Sequence, residues 1–202
     1  MTSLLHFSLY LLLHLYASYK NAAQCIAPYL HSFFELKEML TMDNITELAA
    51  QVGLALEKKR WMLATAESIT GGSISQAMTD IAGSSAWFDC GFVTYSNTSK
   101  TDNVDVPAAL IAQHGAVSEE VAAAMAQGAL ANSNAQIAIA TTGIAGPTGA
   151  VPGKPVGTVC FGWATAHHVQ TERCVFSGDR HAVREQTTQH ALKKLCHLLE
   201  QA

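Results

Sequence analysis

The chain has 202 residues, of which 49% are hydrophobic and 14% charged, which is enough apolar material for one globular domain with a buried core. Its net charge of −4 gives no electrostatic reason to expect nucleic acid or an anionic membrane as a partner. The five cysteines are scattered and form no Cys-x-x-Cys pair, so the sequence indicates neither a disulfide framework nor a zinc site. We therefore expect reduced thiols in a cytoplasmic protein.

The N-terminal segment, residues 1–41, differs in character from the rest of the chain. Residues 4–16 are apolar but too short for a comfortable transmembrane span, and two histidines interrupt them. Residues 1–3 lack the Lys or Arg that a secretory signal would carry. We expect residues 1–41 to be a leader outside the fold or the product of a misassigned start, with Met42 as the true start. A membrane anchor is the less favoured alternative, and the domain is expected to span residues 42–202.

Helical and strand-like patterns alternate along the first part of this domain. Asn44 and Glu47 form a possible capping box ahead of the first helical pattern. The spacing of apolar residues then predicts, in order, a helix over Asn44–Lys59, a strand over Trp61–Ala66, a turn and helix over Thr70–Ile81, a strand over Cys90–Tyr95, a loop or helix start over Ser96–Lys100, a helix over Pro107–His114 and a helix from Ser118 to about Asn132.

The second part begins with a continuous apolar run, Ile137–Thr142, which predicts a central strand covered on both faces. A long Gly-Pro-rich loop, Gly143–Pro155, follows it. Val156–Thr165 and Val169–Phe176 alternate as two strands of a hairpin, and Asp179 opens a last helix. Helices alternating with strands and closed by a hairpin predict an α/β fold, a single three-layer α/β/α domain with a mixed sheet.

Three predicted strand ends carry unusual polar content, and ligands bind outside the carboxyl ends of strands in such sheets. These ends are Glu67–Thr70, Tyr95–Lys100 and Thr141–Pro147. A pocket lined by all three would hold hydroxyls, a lysine, a carboxylate and exposed backbone amides, and no cluster of metal ligands. That inventory suits nucleophilic hydrolysis by a serine with a lysine as general base, provided that the lysine is held neutral.

Structural roles compete with these functional ones on the sequence alone. No turn matches a general catalytic motif such as G-x-S-x-G or a P-loop. The hydroxyls can cap the next helix, the lysine can be a solvated loop cation, and His167-His168 fits a solvated pair better than a metal site. Arg180 and Arg184, one helical turn apart, are either surface charges or a grip for phosphate.

A family resemblance favours the enzymatic interpretation. Six stretches carry it: Ala-Glu-Ser-Ile-Thr-Gly-Gly at 66–72, Gly-Phe-Val-Thr-Tyr-Ser-Asn at 91–97 with Lys100, Gly-Ala-Val-Ser at 115–118, Thr-Gly-Ile-Ala-Gly-Pro at 142–147, Lys-Pro-Val-Gly-Thr-Val at 154–159 and Phe-Ser-Gly-Asp-Arg at 176–180. In these residues and in their order, the chain from about Asn44 to its C-terminus closely resembles the CinA C-terminal domain family, the nicotinamide-nucleotide amidohydrolases. We expect the stand-alone form, without the larger N-terminal domain of full-length CinA proteins.

The resemblance implies hydrolysis of nicotinamide mononucleotide (NMN) to nicotinate mononucleotide and ammonia, a step of pyridine-nucleotide salvage that needs no metal or cofactor. It implies Ser68 as nucleophile, Lys100 as general base and Tyr95 as an orienting or proton-shuttling group. Because relatives of this kind are often dimers or larger homo-oligomers, the resemblance also implies a homo-oligomer, such as a dimer. We expect substrate contacts, including backbone amides for the oxyanion and arginines for the 5′-phosphate, from Glu67, Thr70, Gly71, Gly72, Ser73, Thr142, Gly143, Arg180 and Arg184.

The sequence departs from the family pattern at two positions, and it leaves two other functions open. Ile69 stands where the family commonly has cysteine, and Thr148 stands where a close relative has aspartate, so the pocket's shape can differ. One rival is a non-catalytic nucleotide-binding module linked to competence or DNA-damage responses. The other is an amidohydrolase for a different carboxamide.

Overall fold

The computed structural model describes residues 44–201. The expected leader at 1–41 and the expected start at Met42 lie outside the described residues. Within 44–201 no helix has both the length and the apolar character needed to cross a membrane.

The described chain forms six α-helices and a five-stranded sheet. A short 3-10 turn at Ser84–Ala86 precedes the second strand. The elements in chain order are α1 (Ile45–Lys59), β1 (Leu63–Glu67), α2 (Ser73–Thr79), β2 (Phe88–Val93), α3 (Asn97–Val104), α4 (Ala108–His114), α5 (Glu119–Ala131), β3 (Ile137–Gly143), β4 (Thr158–Thr165), β5 (Val169–Val175) and α6 (Arg180–Gln201).

The sheet is mixed, with the strand order β2-β1-β3-β4-β5. Strand β1 lies between β2 and β3 and pairs with both in parallel. Strands β3, β4 and β5 pair antiparallel, and the last two form the predicted hairpin. The carboxyl ends of β2, β1 and β3 therefore meet at one edge of the sheet, as predicted from the sequence.

Helices cover both faces of the sheet, which confirms the three-layer α/β/α prediction. Large side chains such as Ile137 and Ile139 face α1, α2 and α6 in one core. The alternate residues Ala138 and Ala140 face α3, α4 and α5 in the other core. This alternation follows from the two-residue period of a strand. Large side chains fill the interface on one face of the sheet, and small side chains let the helices approach the other face closely.

Element boundaries differ from the sequence predictions by a few residues. Strand β1 begins two residues later and ends one residue later than predicted, so that its last residue, Glu67, precedes Ser68. The segment after β2 is helix α3, and a reciprocal capping box between Ser96 and Ser99 starts it. Strand β4 begins at Thr158, because Pro155 and Gly157 form the turn before it.

Candidate active site

Six of the predicted site residues line one cavity at the carboxyl edge of the parallel strands. Its volume is about 250 Å³, and it opens to solvent at the ends of β1, β2 and β3. Parallel pairing of β1 with both neighbours brings these three segments together, although they are far apart in the chain. The predicted residues that line it are Ser68, Tyr95, Lys100, Thr142, Gly143 and Arg180.

The closest pair of reactive groups in this cavity is Ser68 with Lys100. The Lys100 Nζ lies 3.0 Å from the Ser68 Oγ. Lysine 100 also donates to the carbonyl oxygens of Thr94 at 2.9 Å and Tyr95 at 3.4 Å. Helix α3 supplies the lysine and the turn after β1 supplies the serine, so two rigid elements fix their separation.

The three partners of Lys100 match a neutral amine. A neutral amine has two N–H donors and one lone pair, whereas an ammonium has three donors and no lone pair. Two carbonyl oxygens accept the two N–H bonds, which leaves the lone pair for the hydroxyl hydrogen of Ser68. The same geometry satisfies the ammonium after it has taken the serine proton, because all three partners can accept.

Burial makes the neutral form accessible near physiological pH. The Lys100 side chain is only 1% exposed. Desolvation disfavours its charged form and lowers the pKa of Lys100 from 10.5 to about 8. A lysine with such a pKa can act as a general base, and the structure places it within hydrogen-bonding distance of a hydroxyl.

Glu67, predicted to contact substrate, is instead fully buried and bound to its own turn. Its carboxylate accepts from the backbone N–H groups of Gly72, Ile74 and Ser75 at 2.8–3.0 Å. The Ser75 hydroxyl donates to it as well, at 2.6 Å. This side chain thus occupies the backbone amides at the start of α2 and fixes the turn that follows Ser68.

The rest of the predicted turn also lies outside the cavity lining. Gly71 and Gly72 have φ of 61° and 100°, a left-handed conformation that glycine tolerates. The Gly72 N–H donates to Glu67, and the Ser73 N–H lies 3.4 Å from the Thr70 carbonyl, so these two amides have protein partners. Thr70 itself is buried and shares a hydroxyl hydrogen bond with Thr141 on β3.

Arg184, predicted to grip phosphate beside Arg180, instead holds the turn that follows Ser68. Its guanidinium donates to the carbonyl oxygens of Ile69 at 3.1 Å and Thr70 at 2.8 Å. It lines a separate cavity together with Ser73, behind the turn. Its guanidinium is therefore committed to positioning the turn, and the two arginines do not form one phosphate site.

Arg180 and Tyr95 form the exposed rim of the cavity. The Arg180 guanidinium donates to the Gly146 carbonyl at 3.2 Å and lies 3.4 Å from the Tyr95 hydroxyl. The Tyr95 side chain is 67% exposed, and its backbone carbonyl, not its hydroxyl, contacts Lys100. Tyr95 thus lies where it can contact a ligand, and its predicted role in proton shuttling stays a prediction.

The end of strand β3 forms the opposite wall. The Thr142 hydroxyl donates to the Ala116 carbonyl at 2.8 Å, which joins this strand end to the segment before α5. Gly143 has no room for a side chain, since a Cβ there would lie 2.7 Å from the Ile69 Cδ1. The cavity is also lined by Ile69, Asn97 and Ala145, which lie within the three strand ends predicted as its walls. It is further lined by Ala116 and Val117, before α5, which were not predicted as site residues.

A family model and the sequence relatives of this chain agree on one protein family. The CinA C-terminal domain model matches residues 45–199. The chain is 51% identical over 157 residues to the nicotinamide-nucleotide amidohydrolase PncC of Pseudomonas putida, which covers 78% of this chain and 98% of that protein. It is also 51% identical to the nicotinamide-nucleotide amidohydrolase PncC of Escherichia coli K12, over 77% of this chain and 95% of the relative.

A solved structure agrees with the sequence relatives. The competence damage-inducible protein A of Klebsiella pneumoniae superposes with a TM-score of 0.76 at 41% sequence identity, covering 78% of this chain and 98% of that chain. The matched region contains every residue of the cavity described above. This chain belongs to the CinA C-terminal domain family.

Proposed function

We propose that this protein is an amidohydrolase that converts NMN and water into nicotinate mononucleotide and ammonia by a Ser68–Lys100 acyl-enzyme mechanism. The observation that carries the proposal is the 3.0 Å contact between the buried Lys100 Nζ and the Ser68 Oγ. Curated relatives at 51% identity are nicotinamide-nucleotide amidohydrolases, which supports the choice of substrate.

The acylation step uses Lys100 first as base and then as acid. The Ser68 hydroxyl gives its proton to Lys100 as its oxygen bonds to the carboxamide carbon, forming a tetrahedral intermediate. The carbon–nitrogen bond then breaks, and the Lys100 ammonium returns the proton to the departing nitrogen, so that ammonia leaves. A nicotinyl ester on Ser68 and a neutral Lys100 remain.

Deacylation repeats the sequence with water as nucleophile. Water gives a proton to Lys100 while its oxygen attacks the ester carbon. The bond to Ser68 breaks, and the serine oxygen takes the proton back from Lys100. The products are the carboxylate of nicotinate mononucleotide and a proton released to solvent, with Ser68 and Lys100 restored.

Backbone amides of the nucleophile turn are the candidate donors to the oxyanion. The N–H groups of Ile69, Thr70 and Gly71 donate to no acceptor within residues 44–201, whereas Gly72 and Ser73 have protein partners. We place the oxyanion donors among the first three, next to the nucleophile. One such donor typically contributes about 2.7–4 kcal/mol to transition-state stabilisation.

The rim supplies the candidate phosphate contact. Arg180 lines the cavity and is exposed, so its guanidinium can reach a 5′-phosphate from the solvent side. The nearby Tyr95 ring offers an apolar surface against the pyridine or ribose. These two residues, and not Arg184, are therefore proposed to distinguish the nucleotide from free nicotinamide.

The decisive experiment measures ammonia release from NMN by Ser68→Ala and Lys100→Ala. Each should lose at least about 10³-fold in kcat, because the nucleophile and its base act as a unit. Ser85→Ala and Lys58→Ala, at exposed positions outside the cavity, are the matched controls and should retain full kcat. Unchanged turnover in either active-site variant would exclude the dyad.

The same assay separates the rival functions. Binding of NMN without turnover by the unaltered protein would indicate a non-catalytic nucleotide-binding module. Faster hydrolysis of nicotinamide or nicotinamide riboside than of NMN would indicate an amidohydrolase for another carboxamide. Trapping of an ester on Ser68 with a slowly hydrolysed substrate, detected by mass spectrometry, would support the acyl-enzyme directly.

A further inference from the structure

Strand β5 and helix α6 bring three different metal-binding side chains together on one face of the sheet. These are Glu172, Cys174 and His190, and one donor atom from each lies within 4.8 Å of the other two. Glu172 and Cys174 are two residues apart on β5, so their side chains project from the same face. His190 comes from α6, which packs over that face.

The three donor atoms form a nearly equilateral triangle. The Glu172 Oε1 lies 3.3 Å from the His190 Nε2 and 3.5 Å from the Cys174 Sγ, and the Sγ lies 3.7 Å from the Nε2. Zinc binds thiolate at about 2.3 Å and imidazole or carboxylate at about 2.0 Å, so tetrahedral angles separate such donors by about 3.3–3.6 Å. The observed triangle has the size that one zinc ion requires.

Hydrogen bonding alone accounts for this triangle incompletely. The thiol carries one hydrogen and the His190 Nε2 carries at most one, whereas the Glu172 carboxylate only accepts. Two hydrogens can join at most two of the three edges. When the thiol and the imidazole both donate to Glu172, the 3.7 Å edge between Sγ and Nε2 therefore carries no hydrogen bond. A cation at the centre satisfies all three lone pairs at once.

Aromatic packing fixes the histidine while leaving the cluster open to solvent. The His190 ring lies 4.8 Å from the Phe161 ring and 5.9 Å from the Phe176 ring. The side chains of His190 and Glu172 are 29% and 35% exposed, so an ion can enter and water can occupy a fourth position. A thiolate, an imidazole and a carboxylate form a ligand set that zinc accepts and that magnesium and calcium do not favour.

We propose that Glu172 Oε1, Cys174 Sγ and His190 Nε2 form a zinc-binding site with water as the fourth ligand. Binding replaces the thiol hydrogen by the metal and releases one proton to solvent, with no change in oxidation state. The site joins the edge strand β5 to α6, the helix that bears Arg180 and Arg184 near the catalytic cavity. Its expected effect is to fasten that helix.

This site is separate from the chemistry proposed above. None of its three residues lines the Ser68 cavity, so the hydrolytic steps do not pass through the ion. No zinc site was predicted from the sequence, because the sequence lacks the short ligand spacing of zinc motifs such as Cys-x-x-Cys. Here two ligands are two residues apart on a strand, and the third lies 16 residues beyond Cys174 on a helix.

The test is metal binding by the full chain after chelator treatment, with any affinity tag removed. Titration with Zn²⁺ against a chromophoric chelator should give one ion per chain with a Kd of about micromolar or tighter. Titration with Co²⁺ should give the thiolate charge-transfer band and the intense visible bands of a tetrahedral site. Zinc should also raise the Tm of the chain.

Three variants identify the ligands. Cys174→Ser should abolish the cobalt thiolate band, and both His190→Gln and Glu172→Gln should weaken Zn²⁺ binding by at least about 10-fold. Cys90→Ser is the matched control, because Cys90 lies on β2 at the opposite edge of the sheet, and it should bind as the unaltered chain does. Circular dichroism establishes that each variant is folded.

Either of two results would overturn the proposal. One is the lack of stoichiometric Zn²⁺ binding by the unaltered chain, which needs no variant to interpret. The other is a cobalt thiolate band that survives Cys174→Ser. Should Cys174→Ser fail to fold, Glu172→Gln provides the decision, since full Zn²⁺ affinity in that variant would contradict the carboxylate ligand.

Discussion

Lys100 is the residue whose chemistry depends most on the fold around it. A lysine in water is protonated at neutral pH and has no lone pair to accept the Ser68 hydrogen. Burial at 1% exposure lowers its pKa to about 8, and two backbone carbonyls hold its nitrogen next to the serine. Lys100 and its proposed role as general base were predicted from the sequence. Its three hydrogen-bond partners are visible only in the fold.

The lowered pKa predicts a specific pH dependence of catalysis. Only neutral Lys100 accepts the Ser68 proton, so kcat/KM for NMN should rise in proportion to the neutral fraction below pH about 8 and level off above it. A pH–rate profile checks this. A profile that is flat across that pH would mean that another group is the base.

Stability should respond to the same titration with a definite sign. The folded-state pKa of about 8 lies below the ordinary value of 10.5, so between these values the unfolded chain binds one more proton than the folded chain. The free energy of unfolding therefore gains a contribution that increases with pH across this window. Lys100→Met should lack this contribution, which denaturant titrations at the two ends of the window would measure.

Arg180 is predicted to act on substrate binding and not on the chemical step. Its guanidinium lies at the exposed rim, whereas the Ser68–Lys100 pair is buried behind it. Arg180→Ala should raise KM for NMN about 10-fold or more and leave kcat nearly unchanged, as expected for the loss of one charge-assisted contact with phosphate.

A substrate without phosphate provides the control for this arginine. Hydrolysis of nicotinamide riboside should be nearly unaffected by Arg180→Ala, because that molecule offers no anion to the guanidinium. An equal loss on both substrates would place the arginine in structural support of the Gly146 carbonyl, which it also contacts.

At the scale of elements, the turn between β1 and α2 is an internally braced unit. Glu67 ties it to three amides at the start of α2, while Arg184 of α6 holds two of its carbonyls. Sequence patterns predicted the turn and its polar residues. They could not assign Glu67 and Arg184 to bracing, because a carboxylate or guanidinium near a site is equally suited to substrate.

Glu67→Gln should therefore reduce both stability and turnover. The amide keeps one acceptor oxygen but presents hydrogens toward amides that need acceptors, and each hydrogen bond lost to a charged group costs about 1.5–3 kcal/mol. We expect a lower Tm and a lower kcat with little change in KM for NMN. Glu57→Gln, at an exposed position of α1, is the matched control, and an unaltered Tm for Glu67→Gln would contradict the bracing role.

Helix α5 packs so closely that one of its residues must be glycine. A Cβ on Gly128 would lie 1.8 Å from the Val104 carbonyl oxygen, a contact that only a backbone shift relieves. Alanine gains about 1 kcal/mol of helix propensity over glycine, but overpacking a core costs typically about 1–3 kcal/mol. Gly128→Ala should thus lower the free energy of unfolding, while Gln127→Ala, exposed on the same helix, should not.

Across the whole molecule, sequence periodicity predicted the order and type of the elements well, because each strand and helix carries its own apolar pattern. The meeting of Ser68, Lys100 and Thr142 at one edge followed from parallel pairing and could be anticipated. The Glu172–Cys174–His190 cluster could not, since it depends on how far along α6 the helix crosses β5.

The segment before Met42 is expected to be dispensable for the fold and for the proposed activity. Residues 44–201 contain both cores and all six predicted residues that line the cavity, and the family model matches within them. A chain starting at Met42 should therefore unfold cooperatively at the same temperature as the full chain and deamidate NMN with the same kcat and KM. Loss of cooperative unfolding in the shortened chain would show that residues before Met42 stabilise the fold. A normal Tm with reduced kcat would instead show that those residues act on the catalytic cavity itself.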